Sequence, residues 1–492
     1  MTMVSASIPG AGLLERYFGF AARGTTLARD TMAGVTTFVV MSYIIFLNPI
    51  ILTGVTHPAL GSALAFSAVL TSTCLVAGVM SMLMGVATNY AYAIAPGLGL
   101  NAVVAYSLVG AGKASFPEAM GLVVLEGVAM VLLAVTGLRE LIFKAIPLEL
   151  KKAIAIGIGL FIALIGLVNA GIVTSGSGTP VTLAGFTTWP IFVAIVGILF
   201  TFAMRAIRFR GDLLVGIIGT TVLATLINWA TNYSAFVNDG AVWPHPFYKA
   251  PDFSLLGKIS LHSFSSTQLG VIASLVWVFS LFLSDFFDFS GTAIGVGKQA
   301  GYVDKDGNIP EFKKAFIVDG LAAVAGGAAS ASSATTYIES GSGVAAGGRT
   351  GWVAVVAGLL FFPFIFISPL IGMVPKEATA AALIVVGWLM ISTLTEMEGE
   401  AECGKASRLA GIDFHDLAIG LSAALTIMIM PFTYSITNGI GFGFITYTVI
   451  CAASRQWKRI HPFMWIVSAA FVLYFLVPLL QQHYGFFGGH LG

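Results

Sequence analysis

Long apolar runs separated by short polar or Gly/Pro-rich breaks recur along the whole chain, and each run reads as a helix. They fall at 33–53, 63–85, 97–110, 117–137, 148–169, 189–206, 212–230, 268–289, 312–328, 340–349, 351–373, 378–395, 415–431 and 435–453. A further apolar segment covers 462–480, and the pattern leaves open whether it spans a membrane or lies along its surface. Most runs approach the roughly 20 residues that a helix needs to cross a hydrocarbon core about 30 Å thick. Those at 97–110 and 340–349 are too short and too rich in glycine to cross alone.

Composition supports a polytopic membrane protein. Of 492 residues, 57% are hydrophobic and 10% charged, where soluble domains carry about 25% charged residues. Thr31–Gly112, Ala153–Met204 and Ile460–Gly492 hold no Asp, Glu, Lys or Arg. The net charge of +1 says nothing about nucleic acid, and no basic tail or aromatic–basic interleaving suggests it as a partner. Cys74, Cys403 and Cys451 are scattered, so neither a disulfide framework nor a metal site is expected. Residues 1–30 carry Arg16, Arg23 and Arg29 and no apolar core of their own, which reads as a cytoplasmic leader rather than a signal peptide. With that leader inside, most Lys and Arg fall on the cytoplasmic side, among them Lys151/Lys152, Arg205/Arg208/Arg210, Lys298 and Arg455/Lys458/Arg459. The acidic run Glu396/Glu398/Glu400/Glu402 then reads as a solvated cytoplasmic loop.

The two halves resemble each other. Ala91–Ala102, containing Pro96, Gly97, Gly99 and Asn101, aligns with Thr335–Ala346, containing Glu339, Gly341 and Gly343. Ile146-Pro-Leu-Glu likewise aligns with Val374-Pro-Lys-Glu. Each match holds the same ordinal place, third and fifth, in its half. Seven spans per half reverse the entry side of the second half, giving an all-α fold of 14 spans as a 7+7 inverted repeat. Chance likeness between Gly/Ala-rich helices is the plainer alternative. Tyr90–Ala95 and Thr335–Glu339 read as extended, with short helices starting near Gly97 and Gly341. Extended backbone at membrane depth is tolerated only where it is buried in protein or lines a cavity. The two helix starts would present free N–H groups to a small solute, unless the glycines serve close helix packing instead.

Asp285 and Asp288 interrupt an uncharged apolar run three residues apart, on one face of a helix. An acid in mid-membrane costs about 2.5–3.5 kcal/mol on insertion scales, so it implies a partner or a function. Glu339, in a Gly/Ser-rich apolar segment, is a third such acid, and Glu126 and Asp319 are two more. Acids that take up and release protons suit a proton-coupled carrier, whereas helix capping or pairing with polar neighbours is the structural alternative. Phe286, Phe287, Phe289 and Tyr337 offer faces on which a flat ring can stack, or simply fill the core. No nucleotide-hydrolysing or catalytic motif is found. Gly295-Val-Gly297-Lys298-Gln299 lacks the spacing and the Ser/Thr of a phosphate loop.

Asp285-Phe-Phe-Asp288 with Gly291-Thr292, the run Gly301–Pro310, and Thr336-Tyr-Ile-Glu339-Ser-Gly-Ser-Gly through Gly351 together resemble the AzgA-like branch of the nucleobase–ascorbate transporter superfamily. Ala95–Ala102, Met430–Gly441 and Thr36–Pro49 resemble it too, so the likeness runs from about Arg29 to Trp465. The resemblance implies a core domain moving against a gate domain. It divides the chain into a leader (1–30), core (31–138 and 268–373), gate (139–231 and 374–453), an extracellular loop (232–267) and a C-terminal apolar segment and tail (454–492). It further implies a homodimeric proton symporter for hypoxanthine, guanine or adenine in the cytoplasmic membrane, driven by the proton gradient without a cofactor. The family's acids match Asp285, Asp288 and Glu339, and its Asn of the third span matches Asn101.

Taken with the residues' own chemistry, Asp285 and Glu339 are the expected proton-coupling groups. Glu339, Asp288, Asn101, Gly97, Gly341, Phe287 and Tyr337 are the expected substrate contacts. Phe289-Ser290, Tyr90 and Tyr92 depart from the family's usual residues beside the presumed pocket. An anion carrier of the same fold, and a nucleobase sensor without net flux, are the competing functions. Against the anion carrier, the expected site holds three acids and no Lys or Arg.

Overall fold

The computed structural model describes residues 12–484 apart from 55–63, 138–144, 177, 237–239, 266–269, 303–308, 311 and 397–411. Most of the acidic run at Glu398–Glu402, and part of the 301–310 motif, lie outside the described residues. In chain order the elements are α1 (Leu13–Phe18), α2 (Leu27–Met41), α3 (Ile44–Thr53), α4 (Phe66–Thr88), β1 (Ile94–Pro96), α5 (Leu98–Ala102), α6 (Phe116–Thr136) and α7 (Leu148–Asn169). A small ladder, β2 (Val173–Thr174) with β3 (Thr182–Leu183), precedes α8 (Trp189–Ala206) and α9 (Asp212–Ala230). Then come α10 (Gly270–Ala300), α11 (Phe312–Ala328), β4 (Ala334–Thr336), α12 (Ser340–Ala345), α13 (Trp352–Leu359), α14 (Ser368–Gly372), α15 (Lys376–Glu396), α16 (Leu417–Phe432), α17 (Ile436–Ala453) and α18 (Pro462–Tyr484). Among the described residues, nine helices, counting α2–α3 and the α13–α14 stretch once each, are long and apolar enough to cross a membrane.

Hydropathy placed several helices to the residue: α7, α8, α9 and α11 occupy the expected runs. Elsewhere local chemistry moves the boundaries. The run at 33–53 divides at Ser42–Tyr43, where the Ser42 hydroxyl turns back to the Val39 carbonyl at 2.9 Å. Pro49, within α3, has no N–H to continue the ladder. The run at 351–373 is α13, a 3-10 stretch Phe362–Ile367 and α14. The run at 268–289 continues as α10 to Ala300, 31 residues in all. Gly291, Thr292, Gly295 and Gly297 lower hydropathy there without breaking a helix whose polar side faces a cavity.

The two extended stretches pair with each other. β1 and β4 are antiparallel, with Ile94 opposite Thr336, Ala95 opposite Thr335 and Pro96 opposite Ala334. Buried backbone needs partners, and here each strand supplies the other's. Gly97 N–H donates to Ser333 O and Tyr337 N–H to Ala93 O, each at 2.9 Å. Side chains satisfy further amides, with Ile94 N–H reaching Ser81 Oγ at 2.8 Å and Thr336 N–H reaching Asp319 Oδ1 at 2.8 Å. The second stretch is shorter than expected. Glu339 already has helical angles, φ −58° and ψ −18°, and stands at the N-cap position of α12 without a capping hydrogen bond from its side chain.

Packing is heaviest within two sets of helices. One contains α2, α4, α6 and α10–α13, with β1 and β4 at its centre; the other contains α7–α9 and α15–α17. Glycines let backbones touch in both. A Cβ on Gly159 of α7 would lie 2.5 Å from the Gly387 carbonyl of α15, and one on Gly351 would overlap the Gly85 carbonyl of α4. Such contacts replace the hydrophobic drive that lipid does not supply.

Candidate functional site

A cavity of about 140 Å³ lies where α10 faces α7, α15 and the turn before α12. From α10 it takes Ser284, Phe287, Asp288, Gly291, Thr292, Gly295 and Lys298, a stripe at helical three- and four-residue spacing. Ile338 and Glu339 come from the turn after β4; Ile154, Ala155 and Ile158 from α7; Val386, Leu389 and Met390 from α15. The wall is therefore mostly apolar, with Asp288 and Glu339 among its few polar groups, the usual make-up of a small-molecule site.

Asp288 and Glu339 thus meet in one cavity, with Phe287 beside them. Glu339 is held by Tyr43, whose hydroxyl donates to Oε1 at 2.5 Å. Tyr43 sits at the break between α2 and α3 and is 1% exposed. The Phe287 ring carries the Lys151 ammonium 5.8 Å from its centroid.

Asp285 is placed differently. It is fully buried on the side of α10 turned away from the cavity, and neither carboxyl oxygen has a hydrogen-bond partner among the described residues. Its neighbours are Glu126 of α6, Asp319 of α11 and the hydroxyls of Ser333 and Thr335. The three acids differ in how they are satisfied. Asp319 Oδ1 accepts from the Thr336 amide and hydroxyl, both at 2.8 Å, whereas Glu126 Oε1 accepts from Ser333 Oγ at 3.2 Å and its Oε2 has no hydrogen-bond partner among the described residues.

The remaining expected contacts are not among the residues that line the cavity. Asn101 is fully buried in α5, and neither its amide nitrogen nor its oxygen has a partner among the described residues. Tyr337 donates its hydroxyl to Pro96 O at 2.5 Å, which ties its ring to β1. The free amides expected at Gly97 and Gly341 are occupied: Gly97 N–H bonds Ser333 O and Gly341 N–H bonds Ile338 O, each at 2.9 Å. Both glycines instead admit close neighbours, Thr335 Cγ2 for Gly97 and Gln299 Oε1 for Gly341.

Two features escape a reading of the sequence. Tyr43 lies 296 residues from Glu339, and a tyrosine in an apolar run carries no sign of its partner. Lys151, Lys152 and Lys298 also line the cavity, which corrects the expectation of a site without Lys or Arg. Lys298 is there because α10 runs on past residue 289, and the two α7 lysines because the first turn of α7 packs beside it. Ser284 and Thr292 carried a legible signal, being polar residues one turn either side of Asp288.

The profile of the Permease family matches residues 29–402. The chain is 36% identical over 465 residues to adenine permease AdeQ of Escherichia coli, covering 94% of this chain and 96% of that one. It is 35% identical over 473 residues to guanine/hypoxanthine permease PbuG of Bacillus subtilis, covering 94% and 99%. Among solved structures, the transmembrane domain of the cyanobacterial bicarbonate transporter BicA superposes with a TM-score of 0.57 at 16% identity, over 85% of this chain and 97% of that one, a likeness of fold. The chain is a multi-pass membrane permease, not an enzyme, and belongs to the Permease family within the nucleobase–ascorbate transporter superfamily, in its AzgA-like branch.

Proposed function

We propose that this permease imports purine nucleobases (hypoxanthine, guanine and/or adenine) together with protons across the cytoplasmic membrane. The observation that carries this reading is a single apolar cavity holding two carboxyl groups, Asp288 and Glu339, with the unpartnered acid Asp285 one helical turn behind. A carboxylate is an acceptor pair. The purine edge offers donors to match: N1–H and N2–H of guanine, N1–H of hypoxanthine, and the N6 amine of adenine. Relatives named as adenine permease and as guanine/hypoxanthine permease, at 36% and 35% identity, support a nucleobase cargo without favouring one base.

In this reading Glu339 and Asp288 read the base, Phe287 covers a face of it, and the unpartnered amide of Asn101 is drawn on during the cycle. Asp285 carries the proton, with Glu339 linking proton and substrate. Substrate and proton each favour the state the other prefers, so each tightens the other's binding.

The cycle is of the elevator type, one packed set of helices moving against the other. The fold behind it is a 14-span inverted repeat. Residues made equivalent by the two halves' alignment, Ala93 and Tyr337, are the pair whose backbones bond at 2.9 Å. A local two-fold axis through the β1–β4 ladder brings such equivalent residues opposite each other, which supports this reading. With the N-terminus inside, Lys151, Lys152 and Lys298 mark the cytoplasmic mouth, which makes the conformation inward-facing. The protein works as a homodimer.

Those lysines are also the one observation that favours the second reading, an anion carrier. The decisive test is uptake of radiolabelled hypoxanthine into cells lacking their own nucleobase carriers, with guanine, adenine, xanthine and uracil as competitors. Saturable uptake blocked by a purine and abolished by a protonophore supports the proposal. Purine binding without flux would leave a sensor, and no binding by any base would overturn the reading.

A further inference from the structure

We infer that Tyr43 is a specificity-determining positioning residue, which holds Glu339 so that Oε2 is left for the substrate and Oε1 is shared. The inference rests on the nucleobase reading of the cavity. Three observations lead to it. The Tyr43 hydroxyl donates to Glu339 Oε1 at 2.5 Å, while Glu339 itself lines the cavity. Tyr43 is buried, does not line the cavity, and sits at the Ser42–Tyr43 break, where its backbone is fixed by helices on both sides. Its ring lies 6.3 Å from that of Tyr337, whose own hydroxyl is committed to Pro96 O. Two phenols from distant parts of the chain thus anchor the turn that carries Glu339, one through its carboxylate and one through the backbone opposite.

The consequence is chemical. A glutamate has three side-chain torsions, and an anchor on one oxygen removes most of that freedom before substrate arrives. The oxygen that the phenol does not hold then meets a single donor, the N1–H of an oxopurine. Guanine brings a second donor, N2–H, and to use it must share Oε1 with the phenol. With Tyr43 present, guanine therefore gains little over hypoxanthine from its extra amine. Without the phenol, Glu339 is loose. Hypoxanthine, with one donor, cannot hold it in place, whereas guanine, with two, re-forms a bidentate pair on both oxygens. Removal of one hydroxyl should thus shift preference toward guanine, not merely weaken transport.

The experiment compares wild type with Tyr43→Phe, reading the inhibition constants of guanine and hypoxanthine against one labelled base, KM and maximal rate, and membrane abundance by immunoblot. The expected result is a rise of about fivefold to tenfold in the hypoxanthine constant, the net size of one ordinary hydrogen bond. The guanine constant should move less than about twofold, with the maximal rate per carrier retained. A merely structural role lowers abundance or rate for both bases and leaves their ratio unchanged, which would overturn the inference. Should Tyr43→Phe fail to reach the membrane, Tyr43→Leu, which lacks a donor, and Tyr43→His, which keeps one, carry the same comparison: the ratio shifts in the first and stays in the second. If wild type takes up no base, the nucleobase reading fails and the inference with it. If wild type transports and the ratio does not move, the inference fails alone.

Discussion

Asp285 and Asp288 lie one helical turn apart on α10 and face different surroundings. Asp288 is half-buried in the cavity wall, and Asp285 is fully enclosed against α6 and α11, neither oxygen having a hydrogen-bond partner among the described residues. Residues three apart on a helix differ by about 60° in direction, which suffices to put one group on the substrate and the other out of its reach.

That division predicts separable defects. Asp288→Asn should weaken competition by every purine about tenfold or more, since it alters an acceptor in the cavity. Asp285→Asn, unable to take up a proton, should retain base-for-base exchange while losing uphill accumulation and sensitivity to a protonophore. Exchange and accumulation measured side by side in vesicles check both, and equal loss of the two activities in Asp285→Asn would refute the separation.

The lysines at the cavity yield a prediction about anions. A neutral base held by Asp288 and Glu339 has no need of Lys151, Lys152 or Lys298 as counter-charges. Millimolar bicarbonate or sulfate at constant ionic strength should therefore leave hypoxanthine uptake unchanged, whereas a competitor at the same site halves it once its concentration reaches its inhibition constant. Saturable competition by either anion would favour the anion carrier.

Close packing of α7 on α15 should be intolerant of bulk. A Cβ on Gly159 already meets the Gly387 carbonyl at 2.5 Å, and a longer side chain must push the two helices apart beside the cavity. Gly159→Leu should cost about 1–3 kcal/mol or more, read as a fall in the thermal midpoint of the detergent-solubilised protein. Gly291→Ala, where an added Cβ meets nothing within 4 Å, is the control and should not lower that midpoint.

A fourth prediction concerns Asp30, whose buried carboxylate gathers the segment before α2 and the loop after α12. It accepts from Thr25 Oγ1 at 2.6 Å, from the amides of Arg349 and Thr350 at 3.2 and 3.0 Å, and from Thr350 Oγ1 at 2.5 Å. Asp30→Ala strands all four donors and should cost about 3 kcal/mol. Asp30→Asn, which keeps one acceptor oxygen, should cost less. The thermal midpoint orders the three proteins.

Helix positions were legible because hydropathy is a local property: α7, α8, α9 and α11 end where their apolar runs end. The extended stretches were legible as well, since Pro96 and the Gly/Ser-rich run before α12 cannot sustain a long helix. Hydropathy failed where polar residues face a cavity rather than water. It stopped α10 at residue 289, although Gly291, Thr292 and Lys298 continue the same helix along the site.

The sequence by itself determined that this is a membrane protein with carboxyl groups at depth, and its ordered motifs determined the family. Both follow from residue type and order, which need no fold to be read. Only the tertiary structure decided that Asp288 and Glu339 share one cavity while Asp285 stands behind it, that the amides of Gly97 and Gly341 are spent on backbone partners, and that Tyr43 holds Glu339. Those facts depend on which side of each helix meets its neighbour and on the mutual register of β1 and β4, and contacts between residues hundreds of positions apart leave no local trace in the chain.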